Sequence, residues 1–119
     1  MMYYNIIYGD FINMALDDYT IVTTTVETEQ QAEALARKIV AEKLAACVQI
    51  QKIKSVYSWN DKIELNDEHL LMIKTRSDLF AELSEFIKEN HDYQVPEIVQ
   101  IPITNGSNKY LSWIKKVTR

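Results

Sequence analysis

From Cys47 to Trp59 the chain reads as extended, and two large aromatic side chains, Tyr57 and Trp59, stand two residues apart at its outer end. Side chains of a strand alternate between faces, so both rings point to the same side. Asn60-Asp61 follows, a dipeptide suited to a tight hairpin turn. A return strand begins at Lys62-Ile63-Glu64-Leu65. The arms of such a hairpin are longer than one small subunit can cover. A chain of 119 residues buries roughly two-thirds of its surface on its own. An uncovered aromatic ribbon finds a partner, and pairing along the edge of a neighbouring copy is its natural outcome.

Elsewhere the hydrophobic period assigns the elements. Thr20 to Val26 is a run of β-branched residues and reads as a buried strand. Thr28-Glu29-Gln30-Gln31 fits a capping box, and the following apolar residues Ala32, Leu35, Ala36, Ile39, Val40 and Leu44 fall on one helical face. In the hairpin, Val48 and Ile50 share one phase while Ile53, Tyr57 and Trp59 share the other. That switch near Gln51-Lys52 predicts a bulge. Asn66-Asp67 is expected to interrupt the return strand before His69 to Lys74 resume it. Ser77 or Asp78 is placed to cap a second helix with Leu79, Phe80, Leu83, Phe86 and Ile87 on its apolar face, ending near Asn90-His91. Pro96 is expected to open a last strand in which Val99, Ile101 and Ile103 alternate; Pro102, lacking a donor, places it near an edge. Asn105-Gly106-Ser107 starts a C-terminal helix with Tyr110, Leu111, Ile114 and Val117.

The order strand, helix, long hairpin, helix, strand, plus a terminal helix, is the βαββαβ pattern of a ferredoxin-like α+β fold. A single domain over residues 14–119 accommodates it. Residues 1–13, rich in Tyr, Asn and Ile, carry no amphipathic pattern. Two readings fit: Met14 is the true start and residues 1–13 come from a start assigned too far upstream, or residues 1–13 are a genuine disordered or edge-packing extension.

Net charge is −4, which argues against a nucleic-acid partner needing a concentrated positive field. No run approaches the ~20 apolar residues of a membrane span. Cys47 is the single cysteine, so no intramolecular disulfide forms, and with no signal-peptide pattern the expected location is the cytoplasm.

Signals of catalysis are weak. With two glycines, Gly9 and Gly106, neither a dinucleotide fingerprint nor a phosphate loop can be assembled. Cys47 reads first as a small core residue, and second as a soft-metal ligand needing partners from elsewhere. His69 enters an apolar strand and reads as structural. His91 stands in His91-Asp92-Tyr93-Gln94-Val95-Pro96-Glu97, just past a helix. It suits either a helix cap or, with Tyr93 and Glu97, a cleft that binds a metal or anchors a small molecule. Trp113 suits core or subunit contact, and Glu64 and Lys74 suit ordinary surface pairing.

Several stretches, in order, resemble one family. Ala36 to Ile50, including Leu44-Ala45-Ala46-Cys47-Val48, is similar to the helix-to-strand segment of CutA proteins. Ser55-Val56-Tyr57-Ser58-Trp59-Asn60-Asp61-Lys62 resembles their hairpin. Lys74-Thr75, His91 to Ile98 and Tyr110-Leu111-Ser112-Trp113 continue the match, which covers roughly residues 20 to 115. The resemblance implies a non-enzymatic homotrimer involved in divalent-cation tolerance, with weak copper or other divalent-cation binding and no obligatory cofactor. It implies an intersubunit cleft lined by Tyr57, Trp59, Glu64, Lys74, His91, Tyr93, Glu97 and Trp113, with Cys47 and His91 as metal-ligand candidates. Asn60-Asp61 stands where the family commonly has Glu-Gly, and Gln51-Lys52-Ile53 replaces a Pro-Gly. Only Cys47 is present, so a thiol-rich copper site does not transfer. A PII-like small-molecule sensor or an interaction scaffold is the alternative, by fold analogy.

Overall fold

The computed structural model describes residues 18–119; the Met14 start and the 1–13 extension lie outside the described residues. In chain order come β1 (Tyr19–Val26), α1 (Glu29–Ala41), β2 (Cys47–Trp59), β3 (Lys62–Arg76), a 3-10 turn (Ser77–Leu79), α2 (Phe80–Glu89), β4 (Val99–Pro102) and α3 (Asn108–Val117). The strands form one antiparallel sheet in the order β2-β3-β1-β4. This is the expected ferredoxin-like arrangement with an added C-terminal helix. No helix among the described residues is long and apolar enough to cross a membrane.

α1 begins as the sequence predicts. The Thr28 hydroxyl accepts from Gln31 N–H at 3.1 Å, and the Gln31 side chain accepts from Thr28 N–H at 3.0 Å. Two donors that a helix start leaves orphaned are thereby satisfied reciprocally. At the other end Leu44 N–H reaches Ile39 O and Lys43 N–H reaches Val40 O. This Schellman closure requires a left-handed residue past the cap; Lys43 supplies it at φ 60°.

The core lies between the sheet and two helices. Val22 of β1 and Leu71 and Ile73 of β3 pack with Leu35 and Ile39 of α1 and Leu83 and Ile87 of α2. Each such side chain contributes ~1.5–3 kcal/mol by leaving water. Two buried threonines keep their hydroxyls paired: Thr20 donates to Ile101 O at 3.0 Å and Thr75 to Leu44 O at 2.6 Å.

Four local expectations are corrected. No bulge occurs at Gln51-Lys52, and Asn66-Asp67 do not interrupt β3: the ladder runs from Cys47–Lys74 to Trp59–Lys62 with every residue in register. The polar residues are tolerated because they face water on an uncovered ribbon, and Asp67 meets Lys54 across the strands at 2.9 Å. The apolar phase switches because the covered face changes, not the backbone. Neither Ser77 nor Asp78 caps α2; α2 starts at Phe80 without a side-chain cap. Ser77 N–H is drawn instead to Asp18 O, and a 3-10 turn fills the gap. β4 starts at Val99, not Pro96. The preceding residues are tied by side-chain bonds rather than by a ladder.

At the hairpin tip Asn60 and Asp61 take φ 52° and 62°, the paired left-handed conformation of a two-residue turn matched to strand twist. The ribbon behind it is uncovered on both faces, with Val56 68%, Ile63 84%, Leu65 62% and Trp59 42% exposed. The radius of gyration is 16.2 Å, against roughly 13 Å for a compact domain of about 100 residues.

Lys43 in the left-handed region is strained relative to glycine. Lys43→Gly is expected to raise stability by about 0.5–1 kcal/mol in denaturant unfolding, whereas Ile39→Ala, which empties part of the core, should lower it by about 2–5 kcal/mol.

Candidate functional site

The ladder assigns the candidate residues to faces. Val48, Leu71 and Ile73 face the helices, so their strand neighbours face away. Cys47, Tyr57 and Trp59 of β2, and Glu64, Glu68 and Lys74 of β3, therefore share the opposite, open face, as does Thr23 of β1. The candidates fall into three groups along this face.

The central group hangs from the stretch between α2 and β4. His91 Nε2 lies 2.7 Å from Thr25 O and must carry the proton, because a carbonyl only accepts. Its Nδ1 accepts from Tyr93 N–H at 3.1 Å. Both ring nitrogens are thus engaged, in the neutral ring, and the ring leans on Tyr93 with centroids 4.9 Å apart. Tyr93 in turn donates its hydroxyl to Glu68 Oε2 at 2.8 Å. Asp92 accepts from the Gln31 side chain at 2.6 Å, and Glu97 accepts from the Thr23 hydroxyl at 2.7 Å. One loop without regular structure is so pinned to α1, β1 and β3.

The electrostatics follow from this geometry. Glu68 is buried, 7% exposed, on a face that also carries Glu97. Partial burial, then the Glu68 carboxylate that its hydroxyl contacts, push the Tyr93 phenol well above its ordinary range, with Glu27 adding to the effect. The folded protein holds this proton more tightly than the unfolded chain does.

The second group lies at the base of the hairpin. Cys47 is half-buried and pairs directly with Lys74. Lys74 Nζ sits over the Tyr110 ring, 5.5 Å from its centroid, and Tyr110 leans on Trp113 at 5.6 Å. The third group is at the tip: Tyr57 faces Glu64 across the ladder, Asn66 donates to the Tyr57 hydroxyl, and Trp59 pairs with Lys62.

The base and the tip of the hairpin are far apart within one chain, with the central group between them: the Tyr57 hydroxyl meets Asn66, two residues from Glu68, and Tyr57 adds to the upward push on the Tyr93 phenol. Twelve ladder steps separate Cys47–Lys74 from Trp59–Lys62, about 40 Å at ~3.3 Å per residue. The structure brings His91, Tyr93 and Glu97 onto one loop and Lys74 close to Tyr110 and Trp113. It does not bring Trp59 or Glu64 near either set. No group of three or more His, Cys, Asp or Glu side chains suited to a metal ion occurs among the described residues. Sequence reading missed Glu68, Thr23 and Tyr110. Glu68 was not detectable in any local window, because the ladder that sets its face and the Tyr93 hydroxyl that it accepts from are both remote in sequence. Thr23 and Tyr110 carried no signal of their own. Behind the loop, an open depression of ≈590 Å³ lies between α2 and Tyr93 to Ile98, with Phe80, Ser84 and Lys88 on its far wall.

The CutA1 divalent ion tolerance protein family model matches residues 20–117. Among curated relatives, the chloroplastic CutA protein of Arabidopsis thaliana is 49% identical over 83% of this chain and 55% of its own length. The divalent-cation tolerance protein CutA of Thermus thermophilus is 40% identical over 82% of this chain and 96% of its own. The chain thus spans about half the length of the plant relative and nearly all of the bacterial one. Among solved structures, CutA1 from Oryza sativa superimposes with a TM-score of 0.84 at 44% identity, covering 89% of this chain and 98% of that one. The periplasmic divalent cation tolerance protein CutA from Archaeoglobus fulgidus gives 0.83 at 38%, covering 85% and 99%.

The cytoplasmic location expected from the sequence is corrected by these matches, since the Archaeoglobus protein is periplasmic and the Arabidopsis protein chloroplastic. One cysteine excludes a disulfide scaffold, yet a fold that needs no disulfide holds at any redox poise.

Because Tyr93 has a raised folded-state pKa, its contribution to stability is fully present below about pH 10, the ordinary phenol value, and is lost as pH rises further. Tyr93→Phe should be less stable than the parent near neutrality and should remove that component of the alkaline decline. Chemical unfolding at stepped pH measures both.

Proposed function

We propose, from the premise that this chain belongs to the CutA1 divalent ion tolerance family, that it works as a homotrimer whose intersubunit crevices take up a divalent cation weakly. The family is one of divalent-ion tolerance and not of catalysis. The observation that carries the trimeric reading is the separation of the hairpin tip from its base. A cleft lined by Tyr57, Trp59 and Glu64 together with Lys74, His91, Tyr93, Glu97 and Trp113 spans about 40 Å on one polypeptide. A second copy, laying its hairpin across the first, closes that distance. The exposed apolar ribbon and the outer edge of β2, which no strand among the described residues pairs, supply the driving force for that contact.

Cation binding is weak on this reading for a physical reason. One chain offers Cys47 as a single soft donor, and copper needs more than one. Carboxylates Glu68 and Glu97 already accept from Tyr93 and Thr23. His91 binds a metal only by surrendering one of two hydrogen bonds. Donors from more than one copy are needed to complete a coordination sphere.

A second reading, an anionic small-molecule sensor, is favoured by one observation. Lys74 stands over the Tyr110 ring, which leans on Trp113, so one positive charge lies beside two apolar rings, a combination that suits an anion with a planar apolar part.

Light scattering of the purified protein should give three times the chain mass, and a monomer would overturn the reading. Replacing both Tyr57 and Trp59 by Ser should weaken self-association by about 2 kcal/mol or more per ring. Calorimetry with copper and zinc should show weak saturable binding that Cys47→Ala reduces. A metabolite-driven thermal shift abolished by Lys74→Ala, with no metal binding, supports the sensor instead.

A further inference from the structure

The connection between β4 and α3 holds chemistry that the candidate cleft does not use. Asn105 is the one asparagine in the chain followed by glycine. Both residues are exposed and lie in irregular backbone. The Gly106 N–H donates to the Asn105 side-chain oxygen at 2.9 Å, which sets the backbone nitrogen close to Asn105 Cγ. That N–H belongs neither to the sheet ladder nor to the first helical bond of α3, which runs from Leu111 to Ser107. Glycine leaves the nitrogen unshielded.

We infer that Asn105 is a site of spontaneous covalent conversion to aspartate and isoaspartate. Rotation about Cβ–Cγ turns the face of the carbonyl toward the nitrogen. The Gly106 nitrogen, after losing its proton to hydroxide, attacks Asn105 Cγ. A new N–Cγ bond forms and the Cγ–Nδ2 bond breaks. The departing amide gains a proton from water and leaves as ammonia, so a five-membered succinimide remains. Water then opens the ring. Addition at the side-chain carbonyl yields aspartate, and addition at the backbone carbonyl yields isoaspartate. No oxidant, metal or enzyme is required.

Other asparagines within the described residues are held differently. Asn66 lies inside the β3 ladder. Asn60 occupies the hairpin turn ahead of Asp61. The Asn90 side chain donates to Phe86 O at 2.9 Å. Asn108 is already the first residue of α3. Each is followed by a residue whose side chain shields the attacking nitrogen.

Either product adds one negative charge just before α3, whose N-terminus carries partial positive charge. Isoaspartate also inserts a methylene into the main chain beside Gly106, where an added Cβ would already stand 3.2 Å from Leu111. α3 carries Tyr110 and Trp113 against Lys74. The conversion is therefore a one-way, age-dependent change at the base end of the open face.

The test is incubation of the full-length purified protein at neutral and mildly alkaline pH, followed by intact mass and peptide mapping. The expected result is a gain of one mass unit located at Asn105, faster in alkali, with isoaspartate in the same peptide. Gly106→Ala, whose new methyl meets only the Leu111 side chain, at 3.2 Å and beyond, should slow the conversion severalfold. Asn105→Gln, which lengthens the ring that must close, should do the same. An unchanged mass after prolonged alkaline incubation, conversion first at another asparagine, or both variants ageing at the parent rate would overturn the inference.

Discussion

A backbone ladder that keeps one register from Cys47–Lys74 to Trp59–Lys62 governs the rest of the molecule. Because strand side chains alternate, an unbroken register preserves the identity of each face along the whole ribbon. Val48 and Ile73 at the base meet the helices, and Cys47, Glu68, Tyr57 and Trp59 all stay on the opposite side. Had a bulge intervened, the two rings would have rotated to the helix side, beyond the reach of α1 and α2. The ladder also makes the ribbon stiff and long. Its outer half gains no core from its own subunit, which is why large apolar side chains there remain wet.

The segment between α2 and β4 shows how irregular backbone is placed accurately without a ladder. Three side chains anchor it to the sheet: His91 to Thr25, Tyr93 to Glu68 and Glu97 to Thr23. A hydrogen bond of this kind contributes about 1 kcal/mol net, and more when one partner is charged. Together they offset part of the ~1–2 kcal/mol per residue that ordering the backbone costs, and the loop's remaining contacts with the sheet and α2 supply the rest. The cost falls on chemistry, since each polar group that fixes the loop is a group less free to bind something else. His91, with both nitrogens occupied, holds Tyr93 in position before it can hold anything else.

The elements with a clear period were legible in the sequence. The capping box at Thr28 and Gln31, the apolar stripe of α1, the two-residue turn at Asn60-Asp61 and the exposure of Trp59 all follow from local rules, and local rules act there unopposed. The failures are of another kind. Asn66 and Asp67 look like strand breakers, but propensity gives way when both faces of a ribbon meet water and a cross-strand lysine stands opposite Asp67. Ser77 looks like a helix cap, but its backbone is claimed by Asp18. Glu68 escaped notice because its partner Tyr93 is 25 residues away in sequence, and no window joins them. The candidate site was legible as a set of residues and not as a place, because the ladder spaces them apart while sequence motifs only count them.

The donor set of one subunit does not by itself make a metal site among the described residues. A tight site needs several donors already converged and otherwise unemployed. Here the donors are either employed in holding the loop or separated by the length of a rigid ribbon. On the trimeric reading, capture becomes conditional on assembly, since only a neighbour's hairpin can bring Tyr57, Trp59 and Glu64 to the base where Cys47 and Lys74 stand beside this chain's own Tyr110 and Trp113. Such a site responds to anything that alters the fit between copies, including a new charge ahead of α3. On the proposed reading, binding would be weak because the fold spends its polar groups on holding the loop, and raising affinity would require freeing His91 or Glu68 at that loop's expense.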